Sequence, residues 1–128
     1  MATQADVRRI ACSFPEVAEV PGRFAFARAL RSRNRVFAWA WNERVHPRKA
    51  KIPSATVIAI LVADAGEKQA MLAADVRVFF TEPHYDGYAA VLVRLEPVSL
   101  PLLERVLRNA WECAQPPRRR SPAARSPR

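Results

Sequence analysis

The sequence predicts an α+β fold: an antiparallel sheet with helices packed on one face, in the order helix, three strands, helix, two strands, helix. Three observations carry that expectation. Apolar residues recur at helical spacing near both ends of the chain, as Val7, Ile10, Ala11 and Phe14 and as Leu103, Val106, Leu107, Ala110, Trp111 and Ala114. Between them lie segments of period-two or nearly continuous β-branched character. A chain of 128 residues, half of them hydrophobic, builds one domain with its own core and falls short of two. A sheet covered on one face buries each of those stripes.

The first helix opens at Thr3, which forms with Asp6 a variant capping box carrying Asp in place of Glu or Gln. Pro15 stops it. After a loop with Pro21 and Gly22, residues 24–30 alternate large and small, with Phe24, Phe26 and Leu30 the large members of a strand. Residues 31–35, Arg-Ser-Arg-Asn-Arg, read as a hairpin turn. Residues 36–41 return as a strand in which Phe37, Trp39 and Trp41 share one face by the period of two. Residues 42–53 read as an irregular basic loop, and 56–62 as a central, almost wholly apolar strand. Asp64 and Glu67 supply an N-cap and its partner for a short helix through Ala74. Residues 76–80 are a short extended piece, a turn follows, and 89–95 form the last strand. Ser99 opens the closing helix, whose first turn tolerates Pro101. Residues 1–115 thus form the folded domain, and 116–128, rich in Pro and Arg, are expected to be disordered.

The net charge of +9 is unevenly spread. Residues 23–51 hold nine basic groups against the single acid Glu43, and 116–128 hold five arginines and no acid; the other two segments are slightly acidic. Such asymmetry points to attraction by a polyanion. The competing reading is a solvated charged surface. No run of eighteen apolar residues exists to span a membrane, and residues 1–14 lack the apolar core of a secretory signal. The expectation is a cytoplasmic protein with no membrane partner. Cys12 and Cys113 lie far apart inside predicted helices, which favours buried reduced thiols over a disulfide.

The densest stretch is Phe79-Phe80-Thr81-Glu82-Pro83-His84-Tyr85-Asp86-Gly87-Tyr88, running into Ala89-Ala90-Val91-Leu92-Val93-Arg94-Leu95. It closely resembles the signature of the MmcQ/YjbR family, in the branch carrying a PHYDGY-type turn before its last strand. Asp6-Val7-Arg8-Arg9-Ile10-Ala11 resembles the family's first helix, and Ala110-Trp111-Glu112 its closing helix, so the likeness covers residues 3–115. The resemblance implies a YjbR-like α+β fold, of the same layout as secretion-chaperone-like proteins, and a DNA-binding role through a double-wing motif. Residues 31–54 depart from the family in being arginine-rich and lacking its more usual Gly-Lys hairpin turn.

His84, Tyr85, Asp86 and Tyr88 are candidates for an acid–base cluster, since His84 and Asp86 flank Tyr85 and would share one side of an extended stretch. The preferred reading is a structural turn in which Gly87 supplies a positive φ, Asp86 bonds turn backbone and the tyrosines cover the sheet edge. No nucleophile motif or second histidine accompanies the cluster. His46, His84 and the cysteines have no metal-ligand spacing, and Gly22, Gly66 and Gly87 are isolated, so neither a metal nor a cofactor is expected. Phe37, Trp39 and Trp41 would make a stacking platform for bases, although core packing is favoured for at least two of them.

The basic residues carry the functional expectation: a non-enzymatic DNA-binding protein of low sequence specificity. Arg31, Arg33 and Arg35 at the hairpin, Arg48, Lys49 and Lys51 in the next loop, and Arg118, Arg119 and Arg120 in the tail would contact phosphates. The alternative is a small-molecule or protein-binding module of drug-resistance or chaperone-like type, using residues 84–88 as its recognition surface.

Overall fold

The computed structural model describes residues 2–30, 34–43 and 51–114. Thr3 Oγ1 accepts the Asp6 backbone N–H, and the Asp6 carboxylate accepts the Thr3 N–H at 2.9 Å, so the expected capping box opens α1 (Gln4–Ala11). The Arg9 side chain, and then the Thr3 backbone, hold the Asp6 carboxyl below its ordinary range. This cap's contribution is therefore complete above the ordinary carboxylate pKa and is lost as pH falls through the lowered one. Asp64 caps α2 (Ala65–Ala74), and Ser99 caps α3 (Leu100–Cys113) with a proline in its first turn.

Between the helices run β1 (Val17–Glu19), β2 (Ala25–Ala29), β3 (Asn34–Glu43), β4 (Ile52–Leu61), β5 (Phe79–Phe80) and β6 (Ala90–Arg94). They form one six-stranded sheet in the order β1-β2-β3-β4-β6-β5, antiparallel at every pairing. The expected fold class holds, with one strand more than the pattern predicts. β1 is too short to show a period, and it follows Glu16, whose φ of 61° turns the chain so that its carbonyl accepts the Ala29 N–H at 2.6 Å. The two edge strands have three and two residues, which limits pairing with another chain.

One face of the sheet carries the main core. Ile58, Ile60, Val91, Val93 and Phe26 meet Val7, Ile10 and Phe14 from the α1 side and Leu103, Val106, Leu107 and Ala110 from α3. The other face carries a smaller cluster of Val57, Ala59, Leu92 and Tyr85, with Trp39, Trp41 and Phe80 partly buried against it. β3 does not keep the predicted alternation. Ala38 pairs with Phe26 and Val36 with Ala27, so Phe37 is an extra residue, a β-bulge. The bulge turns Phe37 into the helix-covered core, where it is fully buried, while Trp39 and Trp41 remain on the second face. The three aromatics therefore do not share a face.

A second irregularity lies in β4, where Pro53 pairs with Asn42 but Ile58 with Ala40. Pro53 cannot donate to a ladder, so β4 reaches this far only by bulging. Buried Ser54 organises the bulge: its Oγ accepts the Thr56 and Val57 N–H groups at 3.2 and 3.1 Å, and its carbonyl accepts from Gln4 Nε2 at 3.2 Å. Ser54→Ala is expected to lower stability by about 1–3 kcal/mol, the cost of stranding such groups. The midpoint of urea unfolding should fall with its slope unchanged.

Candidate functional site

The turn at residues 83–88 is folded down onto the second face. It begins as a 3-10 turn, Pro83–Tyr85, and closes through backbone bonds from Tyr85 N to Glu82 O, Asp86 N to Pro83 O and Tyr88 N to Tyr85 O. Gly87 has φ 80°, the conformation for which glycine was expected there. The chain is helical through Tyr85, so the extended arrangement that would set His84 and Asp86 on one side does not occur. The His84 side chain lies outside the described residues. Asp86 is exposed, and its carboxylate makes no hydrogen bond among the described residues.

What holds the turn instead is Lys68 of α2. This lysine is 7% exposed, and its Nζ donates to Tyr85 O at 2.6 Å and Tyr88 O at 2.9 Å. An amine buried this deeply is tolerated because its donors find carbonyls. Nothing in the sequence of α2 sets Lys68 apart, since Ala-Gly-Glu-Lys-Gln-Ala-Met-Leu-Ala-Ala has no strong apolar stripe to interrupt.

Held in this way, Tyr85 lies buried on Val57, Ala59 and Leu92, and its hydroxyl meets Trp39 Nε1 at 3.3 Å. Tyr88, half exposed, stacks on Tyr85 with ring centroids 6.0 Å apart and lies tilted against Trp39 at 6.4 Å. With Arg23 and Val36 these rings line an open hollow of about 500 Å³. Val36 reaches it because of the bulge at Phe37. Farther along β3, Trp41 meets Phe80 edge to face at 5.6 Å, and the Arg94 guanidinium lies 4.0 Å over the Phe80 ring. A second depression of about 350 Å³, which also includes Glu96, lies there. The second face is thus an aromatic surface with an arginine beside each ring group. Arg23 and Arg94 have no pattern in the sequence to mark them.

The predicted phosphate contacts are distributed differently. Arg31, Arg33, Arg48, Lys49, Arg118, Arg119 and Arg120 lie outside the described residues. Arg35, expected in the hairpin turn, already belongs to β3 and pairs with Arg28. Lys51 is exposed just before Ile52, which pairs with Glu43 at the opposite end of β3. Arg35 and Lys51 therefore stand about 26 Å apart along the strand, at roughly 3.3 Å per residue.

The two thiols are free. Cys12 is exposed, contrary to expectation, because it sits at the C-cap of α1, one step beyond the buried stripe. Burial and then Glu19 push its thiol up; burial and then Glu67 push up that of Cys113, with Arg35 pulling the other way. Neither is an activated nucleophile. Among the described residues no group of three or more His, Cys, Asp and Glu could hold a metal ion, and no helix is long and apolar enough to cross a membrane.

This sheet and helix arrangement defines a known class. It matches the crystal structure of DR2400 from Deinococcus radiodurans, a DUF419 domain with a YjbR/MmcQ-like fold, at a TM-score of 0.64 and 18% identity, over 87% of this chain and 77% of that one. No family model matches the chain. It is 37% identical over 112 residues to the uncharacterized proteins Rv2570 of Mycobacterium tuberculosis (strain ATCC 25618 / H37Rv) and Mb2600 of Mycobacterium bovis (strain ATCC BAA-935 / AF2122/97), covering 87% of this chain and 87% of each. The chain belongs to the family of these mycobacterial proteins.

Lys68→Met keeps the length of the side chain and removes its bonds to Tyr85 and Tyr88. Each carbonyl also accepts a backbone N–H, so the expected loss is the link between α2 and the turn, about 1.5–3 kcal/mol. Urea unfolding should register that loss, with tryptophan emission shifting to the red as Tyr85 loosens from Trp39. Lys68→Arg should not restore stability, because a planar fork replaces a compact donor.

Proposed function

We propose that this chain is a non-enzymatic DNA-binding protein of the MmcQ/YjbR type. The observation that carries the reading is the concentration of net positive charge in residues 23–51 and in the tail. Of the basic residues in 23–51, the described Arg23, Arg28, Arg35 and Lys51 lie between the loop before β2 and the start of β4. The geometry revises how such contacts would be made. Arg35 lies at one end of β3 and Lys51 beside the other, so these two cations would serve separated points on a nucleic acid. Counterion release at each phosphate makes the binding steeply salt-dependent, with the tail arginines adding affinity that reads no sequence.

In the full-length chain, joint charge reversal at Arg31, Arg33 and Arg35 should weaken binding to a short DNA duplex at least about tenfold and flatten its salt dependence by roughly 0.9 in log–log slope per lost contact. The same loss should appear when Arg118, Arg119 and Arg120 are replaced by serine. Unchanged affinity in that background would sink the assignment of the site to the fold.

A second reading, a small-molecule binding module, is favoured by the hollow over Trp39 and Tyr88, whose volume of about 500 Å³ falls in the range of ligand pockets. It predicts that an aromatic anion raises the melting temperature of the wild type and not of Tyr88→Ala, while DNA affinity stays the same in both.

A further inference from the structure

The second face of the sheet has no helix over its β3 region, yet it carries the most exposed aromatic surface of the described residues. We infer that this face binds single-stranded nucleic acid by stacking bases on two platforms, one at Trp39 and Tyr88 and the other at Trp41 and the Arg94 guanidinium that covers Phe80. The inference rests on the nucleic-acid reading above and adds to it the strand form and the site.

Three features point to that occupant. Trp39 and Trp41 follow each other on one face of β3, so their Cα atoms are about 6.6 Å apart. That is twice the rise of roughly 3.4 Å between bases in a duplex strand, so the spacing suits bases spread apart and not bases stacked on each other. Each platform has its own arginine: Arg23 lines the hollow with Trp39 and Tyr88, and Arg94 lies over Phe80. The Arg94 guanidinium is steadied by bonds to Val76 O at 3.3 Å and Arg77 O at 3.5 Å, leaving a planar cation on which a base can also stack. Finally, both tryptophans lie within residues 23–51, the segment of +8 charge, from which Arg23 reaches the hollow as a complement to a phosphate backbone. Among the described residues, Glu96 beside Trp41 and Phe80 is the one acid lining either platform.

Aromatic rings and arginines in alternation bind any base, because every base presents a π face. A duplex hides those faces. The same surface should therefore separate single strands from duplexes without reading sequence.

The test uses the full-length chain and a fluorescein-labelled oligothymidine beside a duplex of equal length, across a salt series. The wild type should bind the oligothymidine more tightly than the duplex and show quenched tryptophan emission. Tyr88→Ala, at a half-exposed position, should weaken single-strand binding at least about fivefold, the lower end of what one base stack contributes. It should leave duplex binding unchanged, and Tyr88→Phe should retain single-strand affinity. Arg23→Gln gives an independent variant that does not disturb the packed rings, and it too should weaken the single strand selectively. Equal binding of both DNA forms, or indifference of the single strand to Tyr88→Ala and Arg23→Gln, would overturn this inference while leaving the phosphate-contact reading intact. Binding of neither form at low salt would overturn both.

Discussion

The amino group of Lys68 is the contact on which the second face of this protein depends. The main core forms by ordinary burial of helix stripes on a sheet, and it needs no unusual group. The second face has no helix to cover its centre. It is covered by a turn of a few residues, whose buried Tyr85 packs on Val57, Ala59 and Leu92. Two hydrogen bonds from a buried lysine tie that turn to α2, and through Tyr85 they set the position of Trp39. A buried amine donating to two carbonyls is also directional where apolar contact is not, so it fixes the height of the turn as well as its attachment. The open hollow beside Tyr88 is the result.

The bulge at Phe37 does the complementary work inside the sheet. With strict alternation, β3 would place three large aromatics on the second face and leave the helices facing Val36, Ala38 and Ala40. One inserted residue moves Phe37 to the core under α3 and brings Val36 round to the hollow. The same strand can then fill the core at Phe37 and present tryptophans at 39 and 41. A bulge thus resolves a conflict between two demands on a single stretch of sequence.

Much of the fold was legible in the sequence because local chemistry and global packing agree. The Thr3, Asp64 and Ser99 caps, the stripes of α1 and α3 and the positive φ of Gly87 are each set by residues within one or two turns of chain. What could not be read depends on partners far away in sequence. The bulge is a matter of register between β2 and β3, and the pairing of Arg35 with Arg28 follows from it. Lys68 donates to residues 17 and 20 positions downstream, and no period connects them. The sequence of residues 84–88 reads as a special turn, but the Lys68 amine that anchors it lies outside any local pattern. Asp86, the obvious local candidate, does not supply it. Cys12 shows the same limit at smaller scale, since one residue beyond a helix stripe decides between burial and exposure.

Separating charge from aromatic surface has a consequence for how such a protein would act on nucleic acid. Phosphate contacts at the two ends of β3 would weaken together as salt rises, whereas stacking depends on burial of ring faces and is far less sensitive to ions. At low salt the charged ends would contribute most, and the preference for the single strand would be at its smallest. As salt increased, the phosphate contribution would fade and the difference between the two forms would be set by the tryptophans and Tyr88. Discrimination therefore improves as affinity falls. A protein relying on its basic hairpin alone would lose both together, so the dependence of selectivity on salt reports directly on whether β3 acts through its ends or through its face.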